Sequence, residues 1–329
     1  MRAIGTRLRL AAGLALLPLL AVTACGSDSG PGAVRAGAQP PAAPAAAPVA
    51  AVRKVESAAA LLPEDVRKAG TLRVGTSVGS PPGAYYPLGS SRSNGAGSGG
   101  GSGKAPAGQD IDLADAVAKV LGLKLQRQDA SFETILPALG SGKYDFGTGN
   151  FGVTAERLKT IDFVTYINDG QGFAVKKGNT ELGRKVTDLT QLCGLTIGTG
   201  AGTTFEATLT EQQGVCAKEG RKPYDVKVYS DNGATLTALQ QGRIDVIMST
   251  INGLRYQAAQ AASGTTFLGE FHRLDVGFAF KKGSPLTKAF QAAVDELIKD
   301  GTYARILKKW GTSPSAIESS RINPPEHSR

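Results

Sequence analysis

The stretch TALQQGRIDVIMST, at residues 237–250, is answered 100 positions earlier by PALGSGKYDFGTGN, at residues 137–150. Leu136 answers Leu236, Ala138 and Leu139 answer Ala238 and Leu239, and Gly142 answers Gly242; Lys143 then answers Arg243, and Asp145 answers Asp245. The likeness dissolves only at the last residues, GTGN against IMST. In each copy an apolar stripe at helical spacing stops at a glycine, and a short apolar run follows, so each reads as a helix leading into a buried strand.

Outward from the pair, the same order of elements appears twice. Before the first copy come LPEDVRKAG, a helix closed by Gly70; TLRVGTS, a strand with Leu72 and Val74 inward; DIDLADAVAKVLGL, a helix ended by Gly122; and the strand KLQRQDA. Before the second copy come LTIGTGAGTTFEATL, a strand, glycine turn and helix, and the strand YDVKVYS. Strands alternating with helices imply parallel pairing in α/β layers, here two lobes. IDFVTYINDGQGFAVKKG carries the chain from the first lobe to the second, and LDVGFAFKKGSPL begins the return, ahead of the helices TKAFQAAVDELIKDG and TYARILKKW. The expected division is lobe 1 at 63–168 plus 274–312 and lobe 2 at 169–273. A Gly/Ser-rich insertion at 89–108 is too poor in apolar residues to fold alone.

The two ends read differently. MRAIGTRLRL, an apolar AAGLALLPLLAV and small residues up to Cys25 form an export leader, 1–25. The Ala/Pro-rich stretch 26–62 reads as a stalk, and 313–329 as a disordered tail. Setting Cys25 aside leaves Cys193 and Cys216, an even pair that in an exported chain is most simply a disulfide. With only His272 and His327 as histidines, no metal site is expected, and no cofactor motif is present. Losing Arg2, Arg7 and Arg9 with the leader takes the formal charge from +9 to +6, and the basic residues form no patch that would bind nucleic acid.

Taken in order from GTLRVGTS to DGTYARILKKWG, these motifs resemble the extracellular solute-binding proteins of the polar amino-acid class that serve ABC importers. Val22-Thr23-Ala24-Cys25 resembles a lipobox, which implies acylation of Cys25, a lipid anchor on the outer face of the cell membrane and no other membrane contact. The resemblance implies a two-lobe periplasmic-binding-protein-like fold (type II) with a two-strand hinge. It also implies a monomer that is not an enzyme, takes a carboxylate-bearing solute in the cleft and delivers it to a permease. Relatives that act as cyclohexadienyl dehydratases, or that sense a ligand without transporting it, supply the alternatives.

The divergent tips fall beyond the carboxyl ends of the strands, where α/β sheets collect ligands. Arg157, in VTAER, opposes the dipole of the helix capped by Thr154, and the resemblance makes it the holder of an α-carboxylate. The competing reading pairs it with Asp162 or Glu156. Thr203 and Thr204 in GAGTTFE open a helix whose amides suit the same carboxylate. Ser77, Ser80 and Gly83 stand where the family carries an acid and an aromatic, so Phe132, Tyr85 or Tyr86 must supply any lid. Thr250 stands where the family's aspartate grips an α-ammonium, which makes Glu133 the candidate replacement acid. Asn150 and Gly152 replace small hydroxyl residues, so the pocket is expected to be roomy and weakly charged. Tyr166, Phe173, Met248 and Trp310 are assigned to core or hinge.

Overall fold

The computed structural model describes residues 48–87, 105–183 and 185–326. The leader, Cys25, the first part of the stalk and most of the Gly/Ser insertion lie outside the described residues.

The described chain starts with a 3-10 turn (Pro48–Ala51), followed by a short helix, α1 (Glu56–Ala59), and then α2 (Glu64–Ala69), which Gly70 closes in the left-handed conformation. Lobe 1 continues through β1 (Thr71–Thr76), α3 (Gln109–Leu121), β2 (Lys124–Asp129), α4 (Phe132–Gly140), β3 (Phe146–Gly152) and α5 (Ala155–Leu158). The long strand β4 (Ile161–Lys176) leaves for lobe 2, which holds β5 (Thr196–Gly200), α6 (Thr204–Glu211), α7 (Val215–Lys218) and β6 (Asp225–Tyr229). Then come α8 (Asn232–Gln240), β7 (Val246–Thr250) and α9 (Ile251–Ala259). An equally long strand, β8 (Thr265–Lys281), returns to lobe 1, where α10 (Thr287–Lys299) and α11 (Thr302–Trp310) pack.

The strands run β2-β1-β3-β8-β4-β7-β5-β6, so each lobe repeats one plan around the antiparallel pair β4/β8. The outer pairs β1/β2, β1/β3, β5/β6 and β5/β7 are parallel. Among the described residues the two long strands alone pass through both lobes, which makes them the hinge. Gly170 sits midway along β4 with φ 156°, where a Cβ would lie 2.1 Å from the His272 carbonyl oxygen, so only glycine lets the strands approach there.

Each lobe has its own core. In lobe 1, Phe146, Phe278, Phe280 and Phe290 stack and cross edge to face beneath α3 and α10, with Tyr166 at 4.5 Å from Phe278. In lobe 2, Phe173, Met248, Ile197 and Leu209 pack with Cys216, whose disulfide to Cys193 ties α7 to the turn before β5. Closing that 23-residue separation stabilises the lobe by roughly 3 kcal/mol. Tyr166, Phe173 and Met248 are fully buried, as core residues should be, whereas Trp310 is only partly buried.

Two segments are more ordered than composition implied. The stalk reading fails from residue 48 onward: Val52, Ala58 and Leu62 are buried in the lobe 1 core, and the Val55 amide bonds the Val120 carbonyl. A few well-spaced apolar residues in an alanine-rich run are enough when α3 and α10 offer apolar side chains to pack against. The tail reading fails as well. Ile322 bridges to Val164, the Thr165 amide donates to the Arg321 carbonyl, and Asn323 brackets the Phe163 backbone. In lobe 1 this leaves β4 with β8 on one side and the chain end on the other. An open strand edge demands partners, which composition does not report.

Candidate functional site

Both lobes contribute to one cavity of about 580 Å3 between them. Gly108 brings its lobe 1 wall together. At φ 145° a Cβ there would sit 2.0 Å from the Gly83 carbonyl oxygen, so the turn at 80–84 lies directly on the start of α3. The Gln109 and Asp110 amides then bond the carbonyls of Pro82 and Gly83.

Of the residues expected at the site, Ser77, Ser80, Phe132, Asn150, Gly152, Arg157, Thr203, Thr204 and Thr250 all line this cavity. Glu133 does not. It is exposed beside Gly202, because Phe132 takes the inward position at the start of α4 and the next residue turns outward. Of the three aromatic candidates for a lid, Phe132 is in the wall, Tyr86 donates to Asp129 instead, and Tyr85 lies 6.2 Å from Tyr256 of lobe 2. The lobes are in contact around the cavity. Arg157 Nη2 reaches the Gly202 carbonyl at 3.0 Å, and Asn232 Nδ2 reaches Ser80 Oγ at 2.6 Å.

Among the described residues Arg157 is the one cation in the wall. Thr154 caps its short helix, and the guanidinium lies 5.8 Å from the centre of the Phe132 ring. Its hydrogen bonds go to main-chain oxygens, Gly152 O at 2.9 Å in lobe 1 and Gly202 O in lobe 2. Neither competing partner is engaged: Asp162 pairs with Lys282 and Asn323, and Glu156 with Lys159. Among the described residues no carboxylate lies within ion-pair distance of Arg157. Burial lowers its pKa to about 10, against a smaller opposite pull from Glu326. A guanidinium has five N–H donors, and two of them serve carbonyls here, so the remainder suit an anion.

Across the cleft, α6 points its N-terminus at the cavity. Thr203 accepts from the Glu206 amide, and Glu206 accepts from the Gly202 amide. The amides of Thr204 and Phe205, both in the wall, have no intrahelical acceptor. Thr250 is differently employed, its hydroxyl accepting from the Gly253 amide at 3.0 Å as the cap of α9.

Two acids of the wall, Asp110 and Asp231, are ones the sequence reading missed. Asp110 lines the cavity at 1% exposure and accepts from Tyr166 Oη at 3.1 Å. Burial pushes its pKa up to about 6, against hydrogen bonds from Tyr166 and Gln109, and nearby Asp169 raises it further. Asp169, fully buried on the hinge, accepts from Asn150 Nδ2 at 2.9 Å and from the Asn252 amide at 3.1 Å. Burial raises its pKa to about 6 as well. Asp231 also reaches the wall, but it is exposed and caps α8 through the Ala234 amide. The site is therefore not weakly charged. Asp110 in the first turn of a helix carries no local mark of its role, since acids are common there for the helix's own sake.

The two-lobe fold has parallels among known proteins. The profile of the bacterial extracellular solute-binding proteins, family 3, matches residues 72–313. The chain belongs to this family. It is 29% identical over 218 residues to the arginine-binding protein ArgT of Corynebacterium glutamicum, covering 66% of this chain and 70% of that one. Among solved structures, an ancestral arginine-binding protein bound to arginine superposes with a TM-score of 0.62 at 33% identity, covering 73% of this chain and 98% of that one. AncCDT-1, an ancestral amino acid-binding protein and a precursor of cyclohexadienyl dehydratase, gives 0.62 at 28% identity, with 75% and 98% covered. Relatives in this family share the two-lobe architecture described above.

Proposed function

We propose that this solute-binding protein captures an amino acid between its lobes and delivers it to the permease of an ABC importer. Acylation of Cys25 would hold it at the outer face of the cell membrane, with the stalk as tether. The observation that carries the reading is Arg157, bonded to one carbonyl from each lobe and, among the described residues, to no carboxylate, opposite the amides that open α6. A ligand carboxylate there completes the guanidinium's hydrogen bonding and joins the lobes, which favours the closed arrangement. The relatives' names support an amino acid, and a volume of about 580 Å3 accommodates a long side chain.

Titration calorimetry of the full chain with L-arginine, L-glutamine and L-cystine tests this. At least one should bind at micromolar concentration or below, and Arg157→Ala should weaken that affinity about a hundredfold or more. The absence of binding across the panel would overturn the reading. For the anchor, acyl labelling of Cys25 and its loss in Cys25→Ser is the expected result.

A second reading, a cleft dehydratase, is favoured by one observation, the buried pair Asp110 and Asp169 with pKa values near the range needed for proton transfer. It requires turnover of a cyclohexadienyl carboxylate by the purified chain. We expect none, because Asp169 is occupied by Asn150 and Asn252 and stands behind the wall rather than in it.

A further inference from the structure

If the cavity takes an amino acid, its cationic nitrogen needs an anionic partner, and position 250 has none to offer. Thr250 spends its hydroxyl on the Gly253 amide. Glu133 is outside the wall, and the exposed Asp231 is occupied as a helix cap. One wall acid remains, and it is buried. Asp110 has no ion-pair partner among the described residues and is neighboured by Tyr166, Gln109 and the Asn150 backbone, with Asp169 adding a second negative charge behind Asn150.

A second, independent observation lies one residue away. Gln109 is 1% exposed and lines the cavity, and its Oε1 is a buried acceptor without a hydrogen-bond partner, its Nε2 being turned to Asp110 at 3.5 Å. An orphaned acceptor in a closed wall is costly unless something donates to it. An ammonium or guanidinium answers both needs, because it brings several donors and a charge. It can meet the Asp110 carboxylate with one N–H and Gln109 Oε1 with another.

We propose that Asp110 and Gln109, on the first turn of α3, form the subsite for the ligand's cationic nitrogen, in place of an acid at position 250. This rests on the amino-acid reading above and deepens it: the carboxylate end lies at Arg157 and the cationic end at α3. The ligand class is thereby an amino acid that keeps a positive nitrogen when bound, either the α-ammonium or a cationic side chain. Carboxylates without a cationic nitrogen bind more weakly, since they leave this subsite unused.

The test is calorimetric titration of the full chain, as wild type, Asp110→Asn and Gln109→Leu. The probes are L-arginine, L-glutamine, and their desamino counterparts 5-guanidinopentanoate and glutaramate. Asp110→Asn should weaken the cationic probes about thirtyfold, and Gln109→Leu about fivefold, while glutaramate, which has no cation, is unaffected or improved. Loss for L-glutamine identifies the α-ammonium as occupant. Loss confined to L-arginine and 5-guanidinopentanoate identifies the side chain. Equal losses for glutaramate and the cationic probes would show a merely structural role and overturn the subsite, as would affinities within twofold of wild type. Should Asp110→Asn fail to fold, as judged by its melting curve, Gln109→Leu decides by the same criteria. If the wild type binds no amino acid at all, the functional reading itself has failed, which is distinguishable from failure of the subsite alone.

Discussion

The α4–β3 unit of lobe 1 and the α8–β7 unit of lobe 2 are the same device with different ends. In both, a left-handed glycine closes the helix, Gly142 at φ 74° and Gly242 at φ 69°, and a buried leucine, Leu139 or Leu239, anchors it. In both, an aspartate latches the new strand to the first strand of its lobe. Asp145 accepts from the Arg73 amide at 2.7 Å and Asp245 from the Thr196 amide at 2.8 Å, and each returns its own amide to the same residue's carbonyl. The tips then part company. Asn150 enters the left-handed region at φ 59° and gives its side chain to Asp169, whereas Thr250 stays extended and caps α9. A repeated scaffold with unrepeated tips separates the residues that build each lobe from those that line the cavity.

The largest expected effect tests the scaffold half of that statement. Leu139→Ala and Leu239→Ala should each cost about 2–5 kcal/mol in denaturant unfolding, by similar amounts, and leave affinity intact where the chain remains folded. A strong binding defect with little destabilisation would break the comparison.

The next concerns the two buried acids near the lobe 1 tip. Asp110 and Asp169 have folded pKa values of about 6, above the ordinary carboxylate value of 3.8. Between about pH 4 and 6 the native chain holds protons that the unfolded chain has released, so their contribution is largest below pH 4 and is lost as pH rises through 6. The ligand-free melting temperature, followed from pH 7.5 to 5, should therefore gain from these two groups on acidification, and Asp169→Asn should flatten the response. An unchanged slope in Asp169→Asn would remove the titration assigned to this acid, which holds the Asn150 side chain at the lobe 1 tip.

The smallest effect compares the latches. Asp145 also pairs with the Arg73 guanidinium, but at a half-exposed site, where such a pair adds little. Asp145→Asn and Asp245→Asn should thus destabilise by about 1–2 kcal/mol each and differ by less than about 1 kcal/mol. A much larger cost at Asp145 would mean that the ion pair, not the shared amide latch, holds lobe 1 together.

Much of this was legible in the chain because the repeat is local. Helical stripe, closing glycine, aspartate and strand follow one another within a few residues, and each leaves its own mark. Arg157 was legible because it offends the local rule for a helix start. Glu133 misled because charge was counted without direction: its neighbour Phe132 took the inward place. Asp110 was invisible for the opposite reason, since an acid in a helix's first turn satisfies the local rule and so attracts no notice.

The order of elements, the two-lobe division and the residues at the strand tips were determined by the sequence alone, because periodicity and turn chemistry act over distances of a few residues. Only the tertiary structure decided which acid faces the cavity, that Gln109 Oε1 is left without a donor, that Thr250 is occupied, and that residues 48–62 and the chain end are packed. Those outcomes depend on what the opposite lobe or an open strand edge presents, and burial of a charge or an acceptor is a property of neighbours far away in the chain.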